Sequence, residues 1–159
     1  HVTEVATIAR NAARVMKANA DVVVVGALLH DIGKVQSYAI TPTGFSHTTS
    51  GSLVGHVVLG SLMLSERLHA VPLAEVSASQ RLELQHMILS HHGSLEFGSP
   101  VQPMTVEAEL LHWADETSAK ANDMAESLSE DEHFGDGEVS ERRPWRVGRR
   151  VWRRPHGWE

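Results

Sequence analysis

Metal-ligating side chains in this chain are scattered, and that scatter limits what it can fold into. His30-Asp31, in the run Ala27-Leu28-Leu29-His30-Asp31-Ile32-Gly33-Lys34, is joined by His1 upstream and by His56, His91-His92 and Asp115 downstream. Imidazole and carboxylate hold borderline and hard divalent ions without help from thiolates. An adjacent His-Asp pair is unusual, because neighbours on a helix point about 100° apart. Both can serve one centre only at a helix end, or where the carboxylate bridges two ions. A fold that uses these residues must bring several separate segments to one point.

Hydrophobic periodicity supplies those segments. Val2, Val5, Ala6, Ile8, Ala9, Ala12, Ala13, Val15 and Met16 recur at helical spacing over residues 2–17. The block Val22–Leu29 reads as a second helix, with Asp21 as its N-cap and Gly33 placed to end it. Residues 35–51, rich in Thr, Ser and Gly, read as a loop anchored by Tyr38 and Phe45. Helical spacing returns over Ser52–Leu68, with His56 near its start, and again from Pro72 to about Ser90. Gly93 closes that helix and leaves His91-His92 at its end, and Thr105 caps a last helix to about Leu128. Residues 129–141 read as acidic and mobile. No coherent sheet is expected. The predicted fold class is all-α: a helical bundle of residues 1–128 with the metal site in its core, followed by a linker and tail over 129–159.

Other histidines weigh less. His86 and His91 are five apart, roughly 140° around a regular helix, so both cannot face one centre. His69, His112 and His133 read as ordinary structural residues, although His112 shares a helix face with Asp115 and could support it from behind. Used together, the ligand set could hold two ions with Asp31 bridging and a metal-activated hydroxide between them, a centre suited to cleaving phosphodiesters. Lys34, one turn beyond His30, could meet phosphate oxygens as charge develops.

Charge is distributed unevenly. The last 18 residues carry seven arginines against one acid, whereas residues 1–141 hold seven Lys and Arg against nineteen acids. Arginines there alternate with Trp145, Trp152 and Trp158, which suits single-stranded nucleic acid, where phosphate pairing joins base stacking. Arg146, Arg149 and Trp152 are the candidate nucleic-acid contacts. The competing reading folds the tail back onto the acidic body. No cysteine is present, so disulfides and thiolate sites are excluded. No apolar run approaches the ~20 residues that span a bilayer, so no membrane partner and a cytoplasmic location are expected. Because residue 1 is histidine, the sequence is expected to continue upstream.

The order H…HD…H…HH…D resembles the HD-domain superfamily of metal-dependent phosphohydrolases. Longer stretches resemble the HD domain of YhaM-type 3′–5′ exoribonucleases. These are Leu28–Val35, Gly51–His56, His86–Gly93 with Glu96–Val101, and Glu107–His112 through Asp115 and Ala119-Lys120. The resemblance covers most of residues 1–125 and implies a 3′–5′ exoribonuclease acting on single-stranded RNA. Its implied cofactors are two divalent ions, manganese first, with Fe, Co, Ni, Zn or Mg as alternatives. The implied ligands are His1, His30, Asp31, His56, His91, His92 and Asp115, with Asp31 and Lys34 catalytic. That family carries an N-terminal OB-type domain, and residues 1–159 are not expected to include it. Where it usually reads Asn-Leu-Asp-Ala-Lys after the last ligand, this chain has Glu116-Thr117-Ser118-Ala119-Lys120. A phosphatase or phosphodiesterase of a small nucleotide is the alternative, and a di-iron oxygenase on the same scaffold is a further one. A homo-oligomer is compatible with the sequence.

Overall fold

A computed structural model describes residues 1–72 and 74–157. Among the described residues seven α-helices form: α1 (Val2–Met16), α2 (Ala20–Leu29), α3 (Lys34–Ser37), α4 (Thr49–Val54), α5 (His56–His69), α6 (Ala78–Ser90) and α7 (Val106–Ser129). A single antiparallel pair, β1 (Tyr38–Thr41) with β2 (Gly44–His47), lies between α3 and α4. The fold class is all-α with this one hairpin added. Contacts divide the chain into two compact units, His1–Asp115 and Glu116–Glu159, so the division falls within α7, upstream of the boundary expected after residue 128.

In the first unit the helices are capped by what their flanks offer. The Asn19 side chain, not Asp21, accepts from the amides of Asp21 and Val22 to start α2. Ser77 and Gln80 form a reciprocal capping box at α6. This places the start of α6 at Ala78, six residues after the expected Pro72, because Ser77 supplies the side-chain acceptor that proline lacks. Thr105 Oγ1 accepts from the Ala108 amide (3.0 Å), as its position suggested. The helix expected from Ser52 to Leu68 is two helices. Gly55, at φ 79°, breaks them and sets His56 as the first residue of α5.

Val5, Ala9 and Ala13 of α1 pack with Val23 and Ala27 of α2, Met87 of α6, and Ala108, Leu111 and Ala114 of α7. Alanine dominates this core, and small side chains let helix axes approach closely. The tightest approach is at Gly33. A Cβ there would sit 1.9 Å from the His56 carbonyl oxygen and 2.5 Å from the Gly60 amide nitrogen. Gly33 therefore does not stop α2, which ends at Leu29; it lets the turn after His30-Asp31 lie against the start of α5.

In the second unit, residues 129–141, which read as mobile, make specific contacts. A 3₁₀ turn forms over Asp131–His133, and Val139 bridges Trp152. Ser140 is fully buried, its amide donating to the Val151 carbonyl (2.8 Å) and its Oγ accepting from the Val151 amide (2.9 Å). Arginines meet acids within the unit: Arg146 reaches Glu126 (2.8 Å) and Glu130 (3.0 Å), and Arg153 pairs with Asp131. Trp158, one of the three tail tryptophans, lies outside the described residues. Among those residues, no helix is long and apolar enough to cross a membrane.

Gly33→Ala is expected to cost about 1–3 kcal/mol, because the contact is with backbone that no rotamer change relieves. Thermal melting checks it, and metal affinity should fall in the same variant because His56 is displaced from Asp31. An unchanged melting temperature would contradict the close approach.

Candidate metal centre

His30 and His91 hold equivalent places, each the C-cap residue of its helix. A helix leaves its last carbonyls without intrahelical partners. His30 Nδ1–H donates to the Ala27 carbonyl and His91 Nδ1–H to the Ile88 carbonyl, both at 2.7 Å. Each bond satisfies one such carbonyl and selects one tautomer, leaving Nε2 as a bare lone pair. Both side chains are fully buried, and both Nε2 atoms, with Asp31 Oδ1, are buried without a hydrogen-bond partner. Orphaned buried acceptors of this kind are costly unless something fills them. A divalent cation fits this donor set.

The other residues converge on the same point. Asp31 Oδ1 lies 3.4 Å from His56 Nε2 and 3.8 Å from His91 Nε2, and its Oδ2 lies 3.4 Å from His30 Nε2. Its two oxygens thus face two groups of nitrogens. One group with ligand atoms within 4.8 Å of one another is His56, His91 and His92; the other is His1, His30 and Asp31. His56 Nε2 and His92 Nε2 are 3.1 Å apart. Asp115 Oδ1 is 2.9 Å from His1 Nε2 and 3.7 Å from His30 Nε2. All the residues named from the sequence as candidate ligands are brought together, and Lys34 Nζ donates to Asp31 Oδ2 at 2.6 Å.

Supporting contacts were less legible. The His92 amide donates to Ser99 Oγ (3.0 Å), and His112 Nδ1–H donates to the His91 carbonyl (2.8 Å). The His112 ring fills the space where a Gly93 Cβ would stand, 2.4 Å from its Cε1. His112 therefore braces the His91-His92 turn from behind. His86 Nε2 accepts from the Met104 amide (2.9 Å), His69 Nδ1–H donates to the Ser65 carbonyl (2.7 Å), and His133 pairs with Glu130 (2.6 Å). Of the tail residues, Arg146 is engaged by Glu126 and Glu130, Trp152 Nε1–H donates to Glu138 (3.0 Å), and Arg149 is exposed.

Electrostatics agree with a cage built for cations. Burial alone would raise the Asp31 carboxyl, but His30 and Lys34 override it and hold it far below the usual carboxylate range. Burial pulls His30 down, yet the adjoining Asp31 carboxylate outweighs it and leaves the imidazole raised. Burial lowers His56 and His92, and pushes His91 down to about 3. Burial raises Asp115.

The HD domain family model matches residues 1–120, and the chain belongs to that family. Among curated proteins it is 42% identical over 122 residues to the 3′-5′ exoribonuclease YhaM of Bacillus subtilis (strain 168), covering 77% of this chain and 37% of the relative. It is 38% identical over 143 residues to YhaM of Bacillus licheniformis, covering 89% and 43% respectively. YhaM of Geobacillus sp. is 40% identical over 124 residues, or 78% of this chain and 36% of the relative. The chain thus spans about two fifths of the length of these relatives. No solved structure matches it.

In metal-free protein the depressed imidazoles bind fewer protons folded than unfolded. Their stabilisation is present above about pH 6.5 and is lost as pH falls, for His91 down to about 3. His30, raised, acts oppositely: its contribution is complete below 6.5 and is lost as pH rises through its folded value. Asp115, also raised, acts in the same sense as His30, and with three imidazoles lowered against these two the melting temperature under chelator should drop between pH 7 and 5. His91 alone would account for on the order of 2 kcal/mol at pH 5. A flat profile over that range would contradict the buried neutral imidazole.

Proposed function

We propose that this chain is the hydrolytic domain of a metal-dependent 3′–5′ exoribonuclease that acts on single-stranded RNA. One observation carries the reading. Buried Nε2 atoms of His30 and His91 converge on an Asp31 carboxylate whose two oxygens face separate nitrogen groups. The 3′-5′ exoribonuclease names of relatives that match most of this chain support the polarity and an RNA substrate. His56, His91 and His92 would hold one ion and His1, His30 and Asp115 the other, with Asp31 shared and manganese the preferred metal. Such ions supply an acidified water and neutralise phosphoryl charge.

The chain's own residues do the remaining work. Asp31 stays ionised at every working pH, because His30 and Lys34 stabilise its charge. Lys34, on a half-exposed stem beside Asp31, offers its ammonium to a non-bridging phosphate oxygen in the transition state. Water adds at phosphorus, the P–O3′ bond breaks, and the departing 3′-oxygen takes a proton, releasing a nucleoside 5′-monophosphate. In the second unit, Arg149 and Trp152, with Arg146 oriented by its two glutamates, would contact the strand through phosphates and stacked bases.

A 5′-labelled RNA incubated with Mn²⁺ should shorten progressively from its 3′ end, and chelation should stop it. Asp31→Ala is expected to abolish turnover and metal content together. Lys34→Ala should lower kcat by roughly ten- to a hundredfold with metal retained, the size of a lost transition-state contact. Cleavage of a small nucleotide with RNA left intact would favour the small-nucleotide phosphatase instead. Arg149→Ala should weaken RNA binding and reduce its salt slope by about one, and an unaltered slope would remove that residue from the RNA surface.

A further inference from the structure

The β1–β2 hairpin has no part in the metal cage, yet it carries a face of large side chains that the protein does not cover. Its register pairs Tyr38 with His47 and Ile40 with Phe45, so alternation puts all four on one side. Phe45 is 77% exposed and Ile40 85% exposed. The Tyr38 ring lies tilted against His47, centroids 4.5 Å apart. Phe45, read from the sequence as a loop anchor, is therefore not one. A cavity of about 320 Å³, lined by Lys34, Tyr38 and Phe45, opens at this face. That volume is at the lower end of what small-molecule sites use.

Lys34 ties the cavity to the metal centre. The side chain that lines it beside the two aromatic rings also donates to Asp31 Oδ2 at 2.6 Å. A ligand with its anionic end at the cage and its flat apolar end beyond Lys34 would meet Tyr38 and Phe45. A nucleotide has that construction, with phosphate and base joined by one sugar. We infer that the hairpin cavity is the subsite for the 3′-terminal nucleobase, with Phe45 and Tyr38 as its stacking surfaces. This inference rests on the exoribonuclease reading for which nucleotide arrives there. Stacking on aromatic faces accepts every base, because every base has a π-face, and it suits an enzyme that must advance through any sequence. Lys34, the charged residue of the lining among the described residues, serves the phosphate rather than a base edge.

Calorimetric titration of Mn²⁺-loaded protein with adenosine 5′-monophosphate and with ribose 5-phosphate tests the subsite without relying on turnover. The mononucleotide should bind more tightly, on the order of tenfold, as expected for one stacked base. Phe45→Ala should bring the two affinities nearly together by weakening only the nucleotide, and Phe45→Trp should restore the gap. Truncating so exposed a side chain leaves folding intact, which a melting curve checks. Equal affinities in the parent protein, no binding of either compound, or a preference that survives Phe45→Ala would each overturn the inference. A change of mass in solution with the preference intact would make this face a contact between copies, and would overturn it too. If the base preference depends on Phe45 while RNA goes uncut, the exoribonuclease reading fails and the base subsite stands. If RNA is degraded from its 3′ end by a protein blind to the base, the reverse holds.

Discussion

Two short hydrogen bonds organise the site. His30 and His91 each turn Nδ1–H back onto a carbonyl of the last helical turn, at Ala27 and Ile88, and so present Nε2 to the interior. A histidine in solution samples both tautomers and many orientations. Here the helix end removes that freedom before any ion arrives. The same bond satisfies a carbonyl the helix would otherwise leave bare. Local folding and ligand geometry are therefore one event, and neither residue can be replaced without disturbing both. Second contacts extend the effect: Ser99 receives the His92 amide, and His112 receives no direct ligand role but holds the His91 carbonyl.

The rest of the first unit is arranged to let those ends meet. An alanine-rich core allows α1, α2, α6 and α7 to lie close, and Gly33 allows the turn after Asp31 to touch the backbone of α5. Gly55 then starts α5 at His56, so that its side chain arrives 3.4 Å from Asp31. The fold concentrates its tolerance for small residues where ligands from distant segments must share a few ångströms. The resulting cluster gathers three imidazoles of lowered proton affinity, His30 and an ionised carboxylate in a buried place, an arrangement that a coordinating cation stabilises.

Much of this was readable in the sequence, because metal chemistry restricts residue type so severely. His and Asp at ends of apolar-periodic segments announced the bundle and the residues that cluster inside it. Packing and capping decided what the pattern could not show. Residues 38–47 contain Thr, Gly and Ser in a composition that suits a loop as well as a short hairpin, and only the pairing of Ile40 with Phe45 reveals an apolar face. Ser52–Leu68 kept helical spacing across Gly55, since a break costs nothing in periodicity. Residues 129–141 looked too acidic to order. Their contacts come from Arg146, 16 residues after Glu130, from Arg153, 22 after Asp131, and from Ser140 closing against Val151. HD-family membership was legible from the long motif stretches, while the bracing by Ser99 and His112 left no local signature.

Preorganised imidazoles and a shared Asp31 are proposed to hold two ions side by side. Manganese titration followed by electron paramagnetic resonance measures this directly, because ions about 3.5–4 Å apart couple their spins. The account predicts that two equivalents bind per chain and that the spectrum of the loaded protein is that of a coupled pair, lost in Asp31→Ala. One equivalent per chain, giving the six-line signal of an isolated ion, would contradict it.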